Sequence, residues 1–220
     1  MKFKAVIWDM DGLLLDSERI SHDSWLRACL SLGVEIHEDI FRSIIGLNSR
    51  TSRNALGEQI GEVVDLDHLI YTANEIYQER ISQGVPLKTG ARTCIEWLRR
   101  NTIPQSVATS TKQALAKEKL GQHKLVDFFH SIVGGDQVEN GKPDPEIFIT
   151  AARRMETDLA DCIIFEDSRH GIAAANASGA RPILVPDLNI HDDESKAHAW
   201  EIWDSLERGP EKFVEWQQSG

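Results

Sequence analysis

The chain predicts an α/β fold built on a doubly wound parallel sheet with a helical insertion, and three observations carry that reading. An apolar run, Phe3 to Trp8, stops abruptly at Asp9-Met10-Asp11-Gly12. From Glu18 to about Ser82 the pattern is helical only, with no second strand signal. From Gly90 onward, short apolar strands alternate with helices, as in a parallel sheet covered on both faces.

The opening run reads as a buried strand, and open α/β sheets place their chemistry at strand carboxyl ends. Side chains alternate along an extended chain, so Asp9 and Asp11 point the same way. In the helical stretch, Trp25, Leu26, Cys29, Leu30 and Leu32 make one apolar face. Leu69, Ile70, Ala73, Ile76 and Tyr77 make another. Gly33, Gly46, Gly57 and Gly61 punctuate these segments as caps or turns. Ala91, Ile95 and Leu98 then mark a helix face, Pro104 to Thr109 a strand, Ala114 to Leu120 a helix, and Ser131 to Val133 a short strand. Pro145 opens a helix to Met155, since its fixed φ and missing donor suit a first turn. Cys162 to Phe165 reads as a strand, Gly171 to Ser178 as a helix of small residues, and Ile183 to Val185 as the last strand. The tail, with Trp200, Trp203, Phe213 and Trp216, is expected on the sheet edge.

Composition narrows the function classes. The 220 residues are 41% hydrophobic and 27% charged, ordinary values for a soluble protein. A formal net charge of -11 argues against nucleic-acid and membrane partners, because the field would repel both. No stretch is long and apolar enough to span a bilayer, and the polar turn at Asp9 comes too soon for a signal peptide. Cys29, Cys94 and Cys162 are odd in number, far apart and in apolar surroundings. They read as buried thiols in a reducing compartment, hence a cytoplasmic protein.

Further polar groups stand at or just beyond strand ends. Thr109 closes one strand, Lys142 lies in the loop from Asn140 to Pro145, and Glu166-Asp167 follow Ile163-Ile164-Phe165. A doubly wound sheet brings these ends to one rim beside Asp9 and Asp11. Clustered carboxylates repel unless a cation sits among them, and an all-oxygen site with open positions suits Mg²⁺. The hydroxyl and the ammonium then face an anion, most naturally a phosphate. Singly, each group has a plainer reading: Thr109 a helix cap, Lys142 a surface lysine, Glu166-Asp167 a helix start. Their order, each behind an apolar strand, favours the joint reading.

Asp9 to Glu18, Thr109, Gly141 to Glu146 and Phe165 to Ser168 together resemble the four ordered motifs of the haloacid dehalogenase (HAD) superfamily. The likeness is closest to its sugar-phosphate phosphatase and β-phosphoglucomutase branch and covers essentially the whole chain. It implies a catalytic core at 1–16 and 89–220 with a helical cap domain at 17–88. It also implies Asp9 as nucleophile and Mg²⁺ ligand, and Asp11 as general acid/base with its backbone carbonyl on the metal. Thr109, Ser110 and Lys142 would hold the phosphoryl group, and Asp167 would complete the metal site. Glu166, Ser17 and Arg50 would stand around the metal or the substrate. The implied activity is Mg²⁺-dependent hydrolysis of a small phosphorylated metabolite, a sugar phosphate by preference, through an aspartyl-phosphate. For its acid role Asp11 would need a raised pKa, which the neighbouring acids would supply.

Rival readings are weighed on residues. Gly135 to Lys142 imitates a nucleotide-binding P-loop, but it has one residue too many between its glycines, and Pro143 replaces the hydroxyl residue. The histidines show no metal spacing, and only His170, after the last motif, is placed to line the crevice. A phosphoacceptor signalling module would carry its acid pair adjacent, whereas Met10 separates Asp9 from Asp11. A dehalogenase would not need Asp11. A β-phosphoglucomutase-like mutase would use the same crevice, with a cap histidine at the position occupied here by Ser21, one place before His22. Arg50 is a candidate cap contact to a second anionic group.

Overall fold

The computed structural model describes residues 2–35, 40, 49–60, 64–188 and 193–218, without the side chains of 49–52 and 59. Among the described residues, six strands form one sheet: β1 (Ala5–Trp8), β2 (Gln105–Thr109), β3 (Ser131–Gly134), β4 (Cys162–Glu166), β5 (Arg181–Leu184) and β6 (Glu201–Ile202). Their order is β3-β2-β1-β4-β5-β6, and every pairing is parallel. The chain winds outward from the central β1 in both directions, so the α/β, doubly wound reading holds.

Strand alternation sorts the core into two layers. Val6, Trp8, Val107, Ile163 and Phe165 face helices α4 (Ala91–Arg100) and α5 (Gln113–Gly121) and the C-terminal helix. Ala5, Ile7, Ala108, Val133 and Ile164 face α6 (Glu146–Arg154) and α7 (Arg169–Ala177). Each large side chain buried in this way contributes roughly 1.5–3 kcal/mol relative to exposure.

The tail departs from expectation. After α8 (Asp193–His198), β6 adds a sixth strand where Ile183 to Val185 was read as the last. Helix α9 (Gly209–Gln218) then packs across a face of the sheet, not its edge. The cause is the aromatic cluster: Trp8 stacks on Phe165 at 4.5 Å, and Phe165 meets Trp203 at 5.1 Å and Phe213 at 6.1 Å.

Between β1 and α4 lie α1 (Ser17–Ser31), α2 (Ser49–Ile60) and α3 (Leu66–Ser82). They share an apolar cluster of their own, including Ala28, Cys29, Leu56, Leu69 and Ala73. The buried stripe of α1 runs through Ile20, Ser24 and Ala28, whereas Leu26 and Leu30 of the expected face are exposed. At 100° per residue those two leucines lie on the far side of that stripe. Gly33 follows the end of α1 at φ +67°, as expected, but Gly57 lies inside α2 against Leu66 instead of ending a helix. Gly46, Gly61, His37 and His191 lie outside the described residues.

The two crossings between insertion and sheet are paired. Leu15 and Leu87 form an antiparallel bridge, the Asp16 amide donates to Pro86 O at 2.8 Å, and the Lys88 amide donates to Leu14 O at 2.9 Å. The buried Asp187 accepts from Lys88 Nζ at 2.6 Å and Arg19 Nη1 at 2.9 Å, anchoring the base of the insertion. Among the described residues, no helix is long and apolar enough to cross a membrane.

Candidate active site

Register explains why the motifs meet. Trp8 pairs with Val107 on one side and Phe165 on the other, so the next residue, Asp9, emerges between the ends of β2 and β4. The Asp9 amide donates to Phe165 O at 2.9 Å, continuing the sheet one step into the site. The chain then turns back: the amides of Leu14 and Leu15 both donate to Met10 O, and Gly12 takes φ +88°. A Cβ at Gly12 would overlap Asp167 Oδ2, so the residue is bound to glycine by conformation and by space.

Lys142 is carried by the loop before α6. Glu146, in the first turn of α6, accepts from the amides of Glu139 and Asn140 at 2.9 and 2.8 Å, which closes that loop. Lys142 is buried, and its Nζ donates to Asp9 Oδ1 at 2.5 Å, Glu166 Oε1 at 2.5 Å and Ala108 O at 3.1 Å. The other oxygen of Glu166 accepts from the amides of Asp167 and Ser168 and from Ser168 Oγ, each at 3.0 Å. Glu166 therefore braces Lys142 and the start of α7. Gly171 makes room for it, because a Cβ there would collide with the Glu166 carboxylate.

Asp167 is different. Its Oδ2 is buried without a hydrogen-bond partner, and carboxylate oxygens of Asp9, Glu166 and Asp167 lie within 4.8 Å of one another. Burial, then Asp9 and Glu166, pushes the Asp167 carboxyl well above the usual range. Burial likewise raises Asp9 to about 7, with Lys142 opposing and Glu166 and Asp11 adding to the rise. An orphaned buried carboxylate oxygen in an all-oxygen cluster is a donor set that fits a hard divalent cation.

Asp11 turns its carboxylate to another wall. Oδ1 accepts from Ser17 Oγ at 2.5 Å and Lys119 Nζ at 2.7 Å, and Oδ2 accepts from Thr111 Oγ1 at 2.6 Å and Thr109 Oγ1 at 3.3 Å. The expected rise in its pKa is overturned. Burial pushes upward, but the Lys119 ammonium and the hydrogen bonds from Lys119, Ser17 and Thr111 outweigh it and leave Asp11 below the usual range. Asp9 and Glu166, two of the acids expected to raise it, pair instead with Lys142.

These groups line a cavity of about 480 Å³ roofed by Ser21 and Trp25 of α1 and by Asn74, Tyr77 and Gln78 of α3. Asp9, Asp11, Ser17, Thr109, Ser110, Lys142 and Asp167 all line it, whereas Glu166 supports it from behind. The backbone of Arg50 lies in α2, and its side chain is outside the described residues. Neither His22 nor His170 is among the lining residues.

Sequence reading missed Lys119, Thr111 and Glu18. Lys119 carried a usable signal: it falls on the buried stripe of its helix with Ala116 and Leu120, where a lysine demands a partner. Thr111 is one alternation beyond Thr109. Glu18, which lines the cavity and is raised to about 8 by burial and then by Asp11, gave no signal beyond its place in the first motif.

The haloacid dehalogenase-like hydrolase family matches residues 6–185. The chain is 34% identical over 196 residues to a phosphorylated carbohydrates phosphatase of Thermotoga maritima, covering 89% of this chain and 91% of that protein. It is 30% identical over 219 residues to a Drosophila melanogaster protein named "Probable pseudouridine-5'-phosphatase", covering 96% and 94%. The β-phosphoglucomutase structure from Clostridium difficile superimposes with a TM-score of 0.81 at 21% identity, over 97% of this chain and 96% of that one, and so shares its fold.

Proposed function

The chain belongs to the haloacid dehalogenase-like hydrolases and is an enzyme, and from that premise we propose that it is a Mg²⁺-dependent phosphatase of a small phosphorylated metabolite, a sugar phosphate by preference, working through an aspartyl-phosphate. One observation carries the reading: Asp9, Glu166 and Asp167 crowd together beside Lys142 at the cavity floor, with Asp167 Oδ2 unpartnered, and a third aspartate, Asp11, is held separately by Lys119 on the wall. The segment 17–88 acts as a cap over a core of 1–16 and 89–220. Its own apolar cluster and the paired crossings at Leu15 and Leu87 support those bounds.

Asp9 and Asp167 would hold Mg²⁺ with their carboxylates and Asp11 with its backbone carbonyl. Bound there, Mg²⁺ would offset the negative charge of the phosphoryl group and of the acids around it. Lys142, Thr109 and Ser110 hold and orient that group against the Asp9 carboxylate. An Asp9 oxygen attacks phosphorus, the bond to the leaving oxygen breaks, and Asp11 delivers a proton to that oxygen. Water then attacks the aspartyl-phosphate, Asp11 takes its proton, and phosphate and free Asp9 result. The ionised Asp11 described above is set for that second step. For the first step Asp11 takes up a proton from solvent before it delivers one, an uptake that the negative charge of the entering substrate favours.

The mutase is the second reading, and Ser21 on the cavity wall, where that reading wants a histidine, weighs against it. Three free, buried thiols suit a reducing, cytoplasmic setting. The test is phosphate release from a panel of phosphorylated sugars and nucleoside monophosphates, with β-glucose 1-phosphate assayed in parallel for isomerisation. EDTA should abolish release and Mg²⁺ restore it. Full activity in metal-free buffer, or isomerisation faster than release, would overturn the assignment.

A further inference from the structure

Lys119 takes no part in the chemistry above, yet it is 1% exposed and aims its ammonium at the cavity. Burying an ammonium is costly unless every proton finds a partner, so its surroundings are informative. Nζ donates to Asp11 Oδ1 at 2.7 Å and lies 5.2 Å from the ring centroid of Tyr77. Asp11 belongs to the turn after β1, Lys119 to α5 beneath the sheet rim, and Tyr77 to α3 in the helical insertion. One side chain therefore joins the acid/base, the core and the insertion.

We propose that Lys119 is a positioning residue that orients the Asp11 carboxylate for proton transfer and ties its placement to the insertion through the Tyr77 ring. Lys142 cannot substitute, since its protons go to Asp9, Glu166 and Ala108 O. The hydroxyls of Ser17, Thr109 and Thr111 also contact Asp11, but each can rotate, and none carries a charge to hold both carboxylate and aromatic face. A proton-transfer group must stay within hydrogen-bond reach of its target, and a displacement of about 1 Å costs about 10²-fold.

The inference rests on the phosphatase reading, with Asp11 as acid and base, and the two fail differently. Turnover is measured for wild type, Asp11→Asn, Lys119→Met and the double variant, with thermal unfolding followed for each. Lys119→Met should lower kcat by about tenfold or more while KM stays within about threefold, and Lys119→Arg should recover part of the loss. In the Asp11→Asn background Lys119→Met should cost less than about twofold, because the residue it orients is gone. If Asp11→Asn keeps wild-type turnover, the acid/base reading falls. If Asp11→Asn is slow and Lys119→Met slows it again by its full single-variant factor, positioning through Asp11 falls. Should Lys119→Met not fold, the same cycle with Lys119→Arg decides by the same comparison. For the tie to the insertion, Tyr77→Leu should lower kcat severalfold in wild type and by a clearly smaller factor in Lys119→Met. Equal losses in both backgrounds would overturn the link.

Discussion

The cavity floor around Asp9 sets three carboxylates, those of Asp9, Glu166 and Asp167, against the single ammonium of Lys142. The wall around Asp11 sets its carboxylate, with the raised Glu18 carboxyl nearby, against the ammonium of Lys119 and three hydroxyls. Two residues of one motif are thereby given opposite environments. Burial first, and then the neighbouring acids, push the carboxyls of Asp9 and Asp167 up, and the oxygen-rich floor invites a divalent cation. The wall is balanced, so Asp11 stays ionised without metal. The contrast teaches that carboxylate spacing brings the pair together, while the lysines decide what each can do.

The hardest blow to that contrast is Asp9→Asn, which removes the proposed nucleophile and a floor charge together. Turnover should fall by at least roughly 10⁴-fold, and no phosphate should remain covalently bound after acid quench. Near-normal rates would dissolve the distinction between floor and wall. Asp11→Asn tests the wall and should slow turnover by about 10²–10⁴-fold. Its apparent Mg²⁺ affinity should hold within about threefold, since only the side chain changes. A collapse in Mg²⁺ affinity would move the Asp11 carboxylate into the metal site.

Gly12→Ala attacks the floor sterically, because the new Cβ would overlap Asp167 Oδ2 and φ is +88°. Left-handed backbone costs a non-glycine residue about 1–2 kcal/mol. Mg²⁺ affinity should drop by about tenfold or more as Asp167 is displaced, whereas unchanged Mg²⁺ titrations would exclude Asp167 as a ligand.

The smallest effect is on stability. Asp9 sits at about 7 in the metal-free fold against an ordinary 3.8, so the folded state holds a proton that the unfolded state releases. Metal-free stability should therefore fall as pH rises through that window. Mg²⁺ held by the proposed ligands would compete with that proton, so its stabilising effect should grow over the same window. Thermal unfolding with and without Mg²⁺ should show a larger shift at about pH 8 than at about pH 5. Equal shifts at both would mean that the cation does not engage the raised carboxyls.

By itself the sequence determined the sheet, the helical insertion and the rim at which Asp9, Asp11, Thr109, Lys142, Glu166 and Asp167 gather, because strand alternation and strand ends are local properties of a chain. The sixth strand and the docking of α9 were not legible. Two-residue β6 is too short for a periodic signal, and the placement of Trp203 and Phe213 depends on Trp8 and Phe165 from distant strands. The site followed the same division. Which residues gather there was readable from residue types behind strands, but the sign of the Asp11 shift was not. That sign depends on Lys119, which reaches Asp11 from 108 positions along the chain. Electrostatic pairing acts through space, and only the packing of α5 against the turn after β1 decides which ammonium each carboxylate meets.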